Sequence, residues 1–439
     1  MLKELINKNK IRFVLFGDIL TFYFSLFLTL FIRYGWKNLA QQFQAHLFPF
    51  TVLAIIWLIT FYVIDLYSYT KINSTIENKK RLFTSTIINF ILSLGIFYIF
   101  GNFFSLTPKT NLLIFTIIFI LLDYLWRHFF SWFLKQEYNN YKILLVSSSN
   151  LNNTIEEHIQ KHPQLGFSIK KINKEEFIKN NMDYDQYHTI VVDNASFADS
   201  IILKKLYDLV SKNIEIIPLI NFYEKLLFRI PLDELKEEWF VNEIKLKSQV
   251  NNNLKKILDK FLAIVGIILL SPLFLIIIFL IKITSSGPAF YKQIRVGKND
   301  KDFILYKFRT MCTDAEKNGA QWSTKNDKRI TKIGKFLRNA HLDEMPQLFN
   351  ILKGDISFVG PRPERPEFVQ LLEKEIPHYL FRQNIKPGLT GWAQIKFRYA
   401  RSVMDSKEKF EYDLYYIKNE NIFFDLGILL RTIQYVFTH

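Results

Sequence analysis

Four apolar runs of about twenty residues each, at about 12–32, 47–66, 82–104 and 112–133, dominate the first third of the chain. A helix rises ~1.5 Å per residue, so each run matches a hydrocarbon core ~30 Å thick. Such runs are expected to cross a membrane as helices, because helical backbone satisfies its own polar groups where water cannot. The first run is too long for a signal peptide, has no small-residue cleavage site and is followed by three more, so it is expected to be retained. Lys3, Lys8, Lys10 and Arg12 precede it, and Lys71, Lys79, Lys80 and Arg81 separate runs two and three; the opposite connections carry Arg33, Lys37 and Lys109. Both ends of a four-helix bundle over 1–136 are therefore expected on the cytoplasmic face. Asp18 and Asp123 lie within the runs, where charge is costly. No basic partner for Asp18 is evident, and helix packing or snorkelling stands beside a transport pathway as its reading.

From Tyr141 the pattern changes to short apolar runs, Lys142 to Val146, Phe167 to Ile172, Thr189 to Val192 and Ile214 to Ile220, separated by polar, helix-compatible stretches. This predicts a doubly wound, Rossmann-like α/β domain over 137–244. The first strand leads into Ser147-Ser148-Ser149-Asn150 instead of a glycine-rich turn, so the dinucleotide-binding fingerprint is lacking and a structural, regulatory or dimerising role is favoured. A basic, Asn-rich linker follows at 245–253. A fifth apolar run, Phe261 to Ile281 within a segment 257–283, holds Ser271-Pro272 near its middle. Proline removes a backbone donor and clashes with the preceding turn, so a helix-break-helix that re-enters the same leaflet stands beside a kinked full span.

Composition narrows the class further. Hydrophobic residues at 49% with 43 Phe exclude a disordered chain, and the lone Cys312 excludes an intrachain disulfide. The charge of +16 suits nucleic acid, anionic headgroups or phosphorylated substrates alike, and the apolar runs turn it towards membrane lipid and away from nucleic acid.

The C-terminal block, 254–439, carries the unusual local sequence. Ser286-Gly287-Pro288 is followed by Tyr291, Gln293, Arg295-Val296-Gly297 and Tyr306-Lys307-Phe308-Arg309-Thr310-Met311. Then come Gly334 to Arg338, His341-Leu342-Asp343-Glu344-Met345-Pro346-Gln347, Gly354-Asp355 and Val359-Gly360-Pro361-Arg362-Pro363-Glu364. Lys386-Pro387-Gly388-Leu389-Thr390-Gly391-Trp392-Ala393-Gln394 and an acidic, aromatic stretch with Asp413, Tyr415 and Asp425 close the series. In this order the motifs resemble the bacterial sugar transferases, the monotopic phosphoglycosyl transferases acting on polyprenol phosphate. The four helices and α/β domain ahead of them are similar to the family's long form.

The resemblance implies transfer of a sugar 1-phosphate from a UDP-sugar to undecaprenyl phosphate with release of UMP, as the first membrane step of exopolysaccharide, capsule or O-antigen assembly. It also implies a bacterial inner-membrane, multi-pass protein with a catalytic domain of re-entrant and amphipathic surface helices on the cytoplasmic face, magnesium as cofactor, and a homodimer. By the same resemblance Ser271-Pro272 marks the re-entrant break, Asp343 is the nucleophile that forms a phosphosugar-aspartyl intermediate, and Glu344 is a magnesium ligand. Phosphoryl transfer needs cations on the developing charge, and a guanidinium offers forked donors to phosphate oxygens. Arg309, Arg338 and Arg362 are candidates for that role. A pairing with Glu364 is the plain alternative for Arg362, and a lipid-headgroup contact the alternative for Arg309 and Lys307. Gln293 and Arg295 are expected to support the fold around the site. Gly388 and Gly391 would allow turns that bring backbone amides near a ligand, with Gln394 beside them. Trp392 would stack on a base or anchor at the interface. Asp413 would help the metal or a basic partner, Asp425 would cap a helix, and Tyr415, Tyr416, Phe423 and Phe424 would form an amphipathic surface on the bilayer. A glycosyltransferase that releases a nucleoside diphosphate and a non-enzymatic transporter are the rival readings.

Overall fold

The structure is a computed structural model of the 439-residue chain. It describes residues 2–64, 66–67, 75–101, 104, 109–138, 141–162, 165–179, 182–212, 214–243, 249–313, 315, 327, 329–397 and 402–438. They form two compact units, Met1–Pro218 and Leu219–His439.

In the first unit the apolar runs are helical, but the first two share one helix, Leu2–Val63, kinked at Gly35 (φ 67°, ψ −179°). Glycine reaches this backbone conformation because it has no Cβ to clash. The two arms fold back on each other, with Tyr23 Oη 3.1 Å from Thr51 Oγ1 and the Phe22 and Trp57 rings 5.6 Å apart. Helices Thr75–Ile99 and Lys109–Tyr138 complete the bundle. By length and composition four helical stretches of the described residues are suited to crossing a membrane, Arg12–Val63, Lys79–Ile99, Thr110–Phe130 and Asn253–Thr284.

This bundle has an apolar core around Phe22, Leu26, Trp57 and Phe115, and unlike a water-soluble protein it is apolar on its outer face too. Phe16, Leu20, Ile55, Ile91 and Leu121 are exposed, while Asp18, Ser25, Asn89, Asn111 and Asp123 are buried. Polar groups turned inward need partners, since none is supplied by lipid. Trp57 Nε1 donates to Ser93 Oγ at 3.0 Å. Asp18 has the basic partner that its sequence neighbourhood hides: Arg127 donates to Asp18 Oδ2 at 2.5 Å and to Asp123 Oδ2 at 2.8 Å, and Tyr67 Oη donates to Asp18 Oδ2 at 2.7 Å. These bonds tie helix Leu2–Val63 to helix Lys109–Tyr138.

The α/β part of this unit is a parallel four-stranded sheet, β1 (Tyr141–Val146), β2 (Phe167–Ile172), β3 (Thr189–Val192) and β4 (Glu215–Pro218), in the order β2-β1-β3-β4. Inner strands covered on both faces read as unbroken apolar runs. Accordingly Ile143 to Val146 and Ile190 to Val192 are fully buried, while edge strand β2 alternates. In the serine turn after β1, Ser147 Oγ accepts from Ser149 N at 3.0 Å and Ser149 Oγ from Leu151 N at 3.1 Å. Hydroxyls thus fill, at the start of helix Leu151–Lys161, the role that a bound phosphate plays at glycine-rich turns.

The second unit begins at Leu219, ahead of the expected linker. Ile230 and Leu232 pack with Leu372, Ile376, Tyr379, Phe410 and Leu414, and Leu232 N donates to Glu411 Oε1 at 3.0 Å. The apolar helix runs from Gln249 to Thr284 and is unbroken through Pro272. Proline costs this helix one backbone bond, and Ser271 Oγ donates to Ile268 O at 2.8 Å across the same turn. Its inward residues Phe274, Ile277 and Ile281 pack on Phe308 and Leu337, whereas Ile257, Phe261, Ile268, Leu269, Leu275 and Phe279 face outward.

Two small sheets lie among the remaining helices of this unit. An antiparallel hairpin joins β5 (Phe290–Val296) to β6 (Asp302–Phe308), and a short parallel pair joins β7 (Ser357–Val359) to β8 (Gly388–Thr390). Gly388 has a backbone role in this pair. Gly388 N donates to Pro361 O and Gly360 N to Thr390 O, both at 2.9 Å. A Cβ on Gly388 would lie 2.1 Å from Gly360 N, so only glycine lets these chains meet.

Candidate active site

Four pieces of backbone in the second unit converge on the Asp343-Glu344 pair. Lys307 projects from the end of β6. Arg338 comes from helix Lys332–Asn339, whose start is fixed by Thr331 Oγ1 accepting from Gly334 N at 3.0 Å. Asp343 and Glu344 occupy a single 3-10 turn, Leu342–Glu344, entered through His341 in a left-handed conformation (φ 54°). That turn leads through Pro346 into helix Gln347–Lys353. Arg362 lies between two prolines directly after β7.

Glu344 is the hub. Its Oε1 accepts from Lys307 Nζ and from Arg362 Nη2, each at 2.6 Å, while among the described residues Oε2 has only Arg362 Nη1 at 3.5 Å. Burial opposes its ionisation, but the neighbouring Arg362 and Lys307 charges outweigh burial and hold it well below the usual carboxylate range. Asp343 is 8% exposed and accepts no hydrogen bond from any described residue. Burial raises its affinity for a proton, against the pull of the Lys307, Arg338 and Arg362 charges. A partly desolvated carboxylate with uncommitted lone pairs is more basic, and so more nucleophilic, than one in water. Lys307, Arg338 and Arg362 carry three positive charges against two carboxylates, leaving an excess that an incoming phosphate would satisfy.

The Arg362 loop is held from behind by a second set of charges. Arg382 donates to Arg362 O at 2.8 Å, to Tyr379 Oη at 2.8 Å and to Asp413 Oδ2 at 3.0 Å. Arg295 donates to Pro363 O at 3.0 Å and to Gln293 Oε1 at 3.1 Å, the supporting role expected for that pair. Glu364 accepts from Lys409 Nζ at 2.6 Å, so the carboxylate paired with Arg362 is Glu344 and not its near neighbour Glu364. Asp413 takes the basic partner among its two expected roles. Sequence reading missed Arg382 and Lys409, which belong to no motif; the expectation of a basic partner for Asp413 was the one pointer to Arg382, and Lys409 pairs with Glu364.

Glu364 makes this shell sensitive to acid. Burial opposes its charge, Lys409 and Arg382 more than compensate, and its pKa falls to about 2 from an ordinary 4.5. Between those values the unfolded chain binds more protons than the folded one. Stability from this group is therefore complete above pH 4.5 and is lost as pH falls towards 2. Glu364→Gln should flatten the fall in melting temperature of the detergent-solubilised protein between pH 5 and 3; an unchanged slope would contradict this assignment.

Other candidates lie apart from the pair's hydrogen-bond network. The Arg309 guanidinium donates to Ser286 O at 2.5 Å, and to Ser285 O and Oγ at 3.0 and 2.8 Å, closing the end of the long apolar helix. Arg338 Nε donates to Thr310 Oγ1 at 2.9 Å, which fixes the side chain whose charge acts on Asp343. Trp392 is buried with Val359, Tyr416 and Ile428, and its Nε1 donates to Phe228 O at 2.9 Å. Gln394 Nε2 donates to Leu389 O at 3.3 Å. Of the aromatic surface expected on the bilayer, Phe423 is 83% exposed, but Tyr416 is core and donates to Asp425 Oδ1 at 2.7 Å. Asp425 also pairs with Lys255 at 2.8 Å, and the capping role expected of Asp425 falls to Asn421, which accepts from Phe424 N at 2.9 Å.

Magnesium favours one or two carboxylates together with water and phosphate oxygens. Glu344 Oε2 and the Asp343 oxygens are the acceptors with spare capacity, and the described residues contain no group of three or more His, Cys, Asp or Glu suited to a metal. This donor set fits a largely hydrated magnesium shared with a substrate and does not fit an all-protein cage.

Residues 250–439 match the family described as bacterial sugar transferase. The chain is 42% identical over 215 residues to a UDP-N-acetylgalactosamine-undecaprenyl-phosphate N-acetylgalactosaminephosphotransferase of Aeromonas hydrophila, covering 49% of this chain and 50% of that one. It thus spans about half the length of that relative. It is 29% identical over 446 residues to a UDP-glucose:undecaprenyl-phosphate glucose-1-phosphate transferase of Klebsiella pneumoniae, covering 95% of this chain and 93% of that one. An uncharacterised sugar transferase of Bacillus subtilis (strain 168) is 38% identical over 183 residues, 42% of this chain and 87% of that protein.

Proposed function

Because the chain belongs to the bacterial sugar transferase family, we propose that it transfers a sugar 1-phosphate from a UDP-sugar to undecaprenyl phosphate at the cytoplasmic face of the inner membrane. The observation that carries this reading is Asp343, a partly buried carboxylate with free lone pairs set among three cations. In the first step an Asp343 oxygen attacks the sugar-linked phosphorus, the bond from that phosphorus to the bridging oxygen breaks, and UMP leaves with the electron pair. In the second, an oxygen of undecaprenyl phosphate attacks the same phosphorus and frees Asp343, giving a lipid diphosphate sugar. Two half-reactions through one covalent intermediate imply ping-pong kinetics.

Arg362 and Lys307 hold Glu344 ionised and are close enough to the pair to take phosphate oxygens as charge develops. Magnesium, held through Glu344, would supply further neutralisation of the diphosphate when bound. A bend at Ser271-Pro272 that returns the helix to its own leaflet would keep the site at the inner surface, where the nucleotide sugar and the lipid meet. A homodimer and a place at the start of exopolysaccharide, capsule or O-antigen assembly complete the proposal.

The test is a panel of UDP-sugars incubated with the full chain, undecaprenyl phosphate and magnesium. One sugar should be consumed with UMP as the nucleotide product. Release of UDP would instead indicate transfer of the sugar alone, and no release from any sugar would overturn the reading.

A further inference from the structure

A second concentration of positive charge in the Leu219–His439 unit uses none of the residues around Asp343. A cavity of about 250 Å³ is lined by Lys256, Lys260, Lys353 and Lys386, with Asp259 as its one acid and Ile257 in its wall. Lys256 and Lys260 are four apart on one helix and so share a face. Neither makes a hydrogen bond or ion pair with a described residue. The other two lysines are fixed, Lys386 Nζ by Gly354 O at 2.5 Å and Lys353 Nζ by Tyr306 Oη at 3.0 Å. Asp259 is engaged by Phe358 N at 3.4 Å. Four lysines against one aspartate leave three positive charges uncompensated. Burial and the like charges of Lys256, Lys298 and Lys260 lower the proton affinity of Lys386, as expected of a cluster that lacks an anion.

Apolar surface adjoins this charge. Leu254, Ile257, Phe261 and Leu262, on the same end of the helix, are 50%, 65%, 60% and 43% exposed. An inorganic anion would use the lysines and leave that surface unexplained. A phosphate ester carrying hydrocarbon chains would use both. The cavity is also several times the ~30 Å³ share of a water molecule, so a bare phosphate would leave it part filled. We infer that this cavity holds the phosphate headgroup of an anionic membrane phospholipid, whose acyl chains lie along the exposed apolar face of helix Gln249–Thr284.

The test is native mass spectrometry of the delipidated full chain in detergent, titrated with phosphatidylglycerol and, separately, with phosphatidylcholine as the zwitterionic control. The Lys256→Gln/Lys260→Gln variant should bind phosphatidylglycerol roughly tenfold more weakly than wild type, since each lysine contributes an independent attraction to anionic lipid. Phosphatidylcholine binding should not change. The two single variants, read separately, should each lose a fewfold, and because neither lysine makes a hydrogen bond or ion pair with a described residue, melting temperatures should stay at the wild-type value. Millimolar inorganic phosphate should not displace the lipid. Equal affinity in wild type and double variant would overturn the inference, as would displacement by inorganic phosphate. Stoichiometric displacement by undecaprenyl phosphate would also overturn it, assigning the cavity to the acceptor. The titration contains no sugar donor, so its outcome is independent of the transfer reaction.

Discussion

Asp343→Asn should lower UMP release from the accepted UDP-sugar by about a thousandfold or more, with the melting temperature unchanged. The amide matches the carboxylate in shape but has neither its charge nor its nucleophilic lone pairs. Because Asp343 accepts no hydrogen bond from a described residue, the substitution breaks no contact that holds the fold. Burial of Asp343 disfavours its charge while the Lys307, Arg338 and Arg362 charges favour it, so the neutral amide should be tolerated. A variant that keeps more than about a tenth of wild-type turnover would exclude Asp343 as the nucleophile, because loss of a nucleophile is not compensated by its neighbours. A chain that acted only in transport or assembly would be indifferent to the change.

The second large effect lies behind the site. Arg382 is 6% exposed and joins Asp413, Tyr379 and the Arg362 carbonyl. Arg382→Met fills much of the same space but leaves Asp413 buried, charged and unpaired, at an expected cost of about 3–5 kcal/mol. For a unit of this size that is roughly 6–20 °C in melting temperature. Asp413→Leu added to Arg382→Met should recover part of the loss, because replacing both partners of a buried pair removes the desolvated charge. Turnover should fall in the single variant at temperatures below its melting point, since the Arg362 backbone loses a donor that fixes it. A double variant no more stable than Arg382→Met would show that Asp413 is not the group left exposed to the apolar interior.

The relation between these residues and their sequence is uneven for physical reasons. Local patterns speak plainly where one element decides the outcome. Four apolar strands separated by helix-compatible stretches read directly as the parallel sheet, and the Asp343-Glu344 pair stands out by its motif. Pairings between distant segments do not. Asp18 meets Arg127 across 109 positions, and nothing near Asp18 in the chain announces it, although Asp123 and Arg127 one helical turn apart were a visible half of the cluster. Arg362 is two residues from Glu364 yet turns to Glu344, because the loop after β7 is fixed by Gly360 and Gly388 meeting backbone to backbone.

Burial gives some residues internal contacts that their sequence does not announce. Trp392 and Tyr416 look amphipathic in the sequence, but each places its polar atom on an internal acceptor, Phe228 O and Asp425 Oδ1 respectively. Arg309 looks like a phosphate ligand by type, and its guanidinium instead closes the carbonyl end of the apolar helix, which no other described donor reaches at Ser286 O. At Pro272 the helix runs on without a gap, because one missing amide is a local loss that flanking turns absorb, and a bend there needs no interruption of the helix.

The most direct measurement is the mass of the full chain, and of its peptides, after incubation with the accepted UDP-sugar and no lipid acceptor. Covalent capture predicts wild-type protein heavier by one sugar phosphate, the addition mapping to Asp343, absent from Asp343→Asn and discharged when undecaprenyl phosphate is supplied. UMP formed at full rate in the complete reaction from protein that never gains that mass, or an addition that persists in Asp343→Asn, would contradict it.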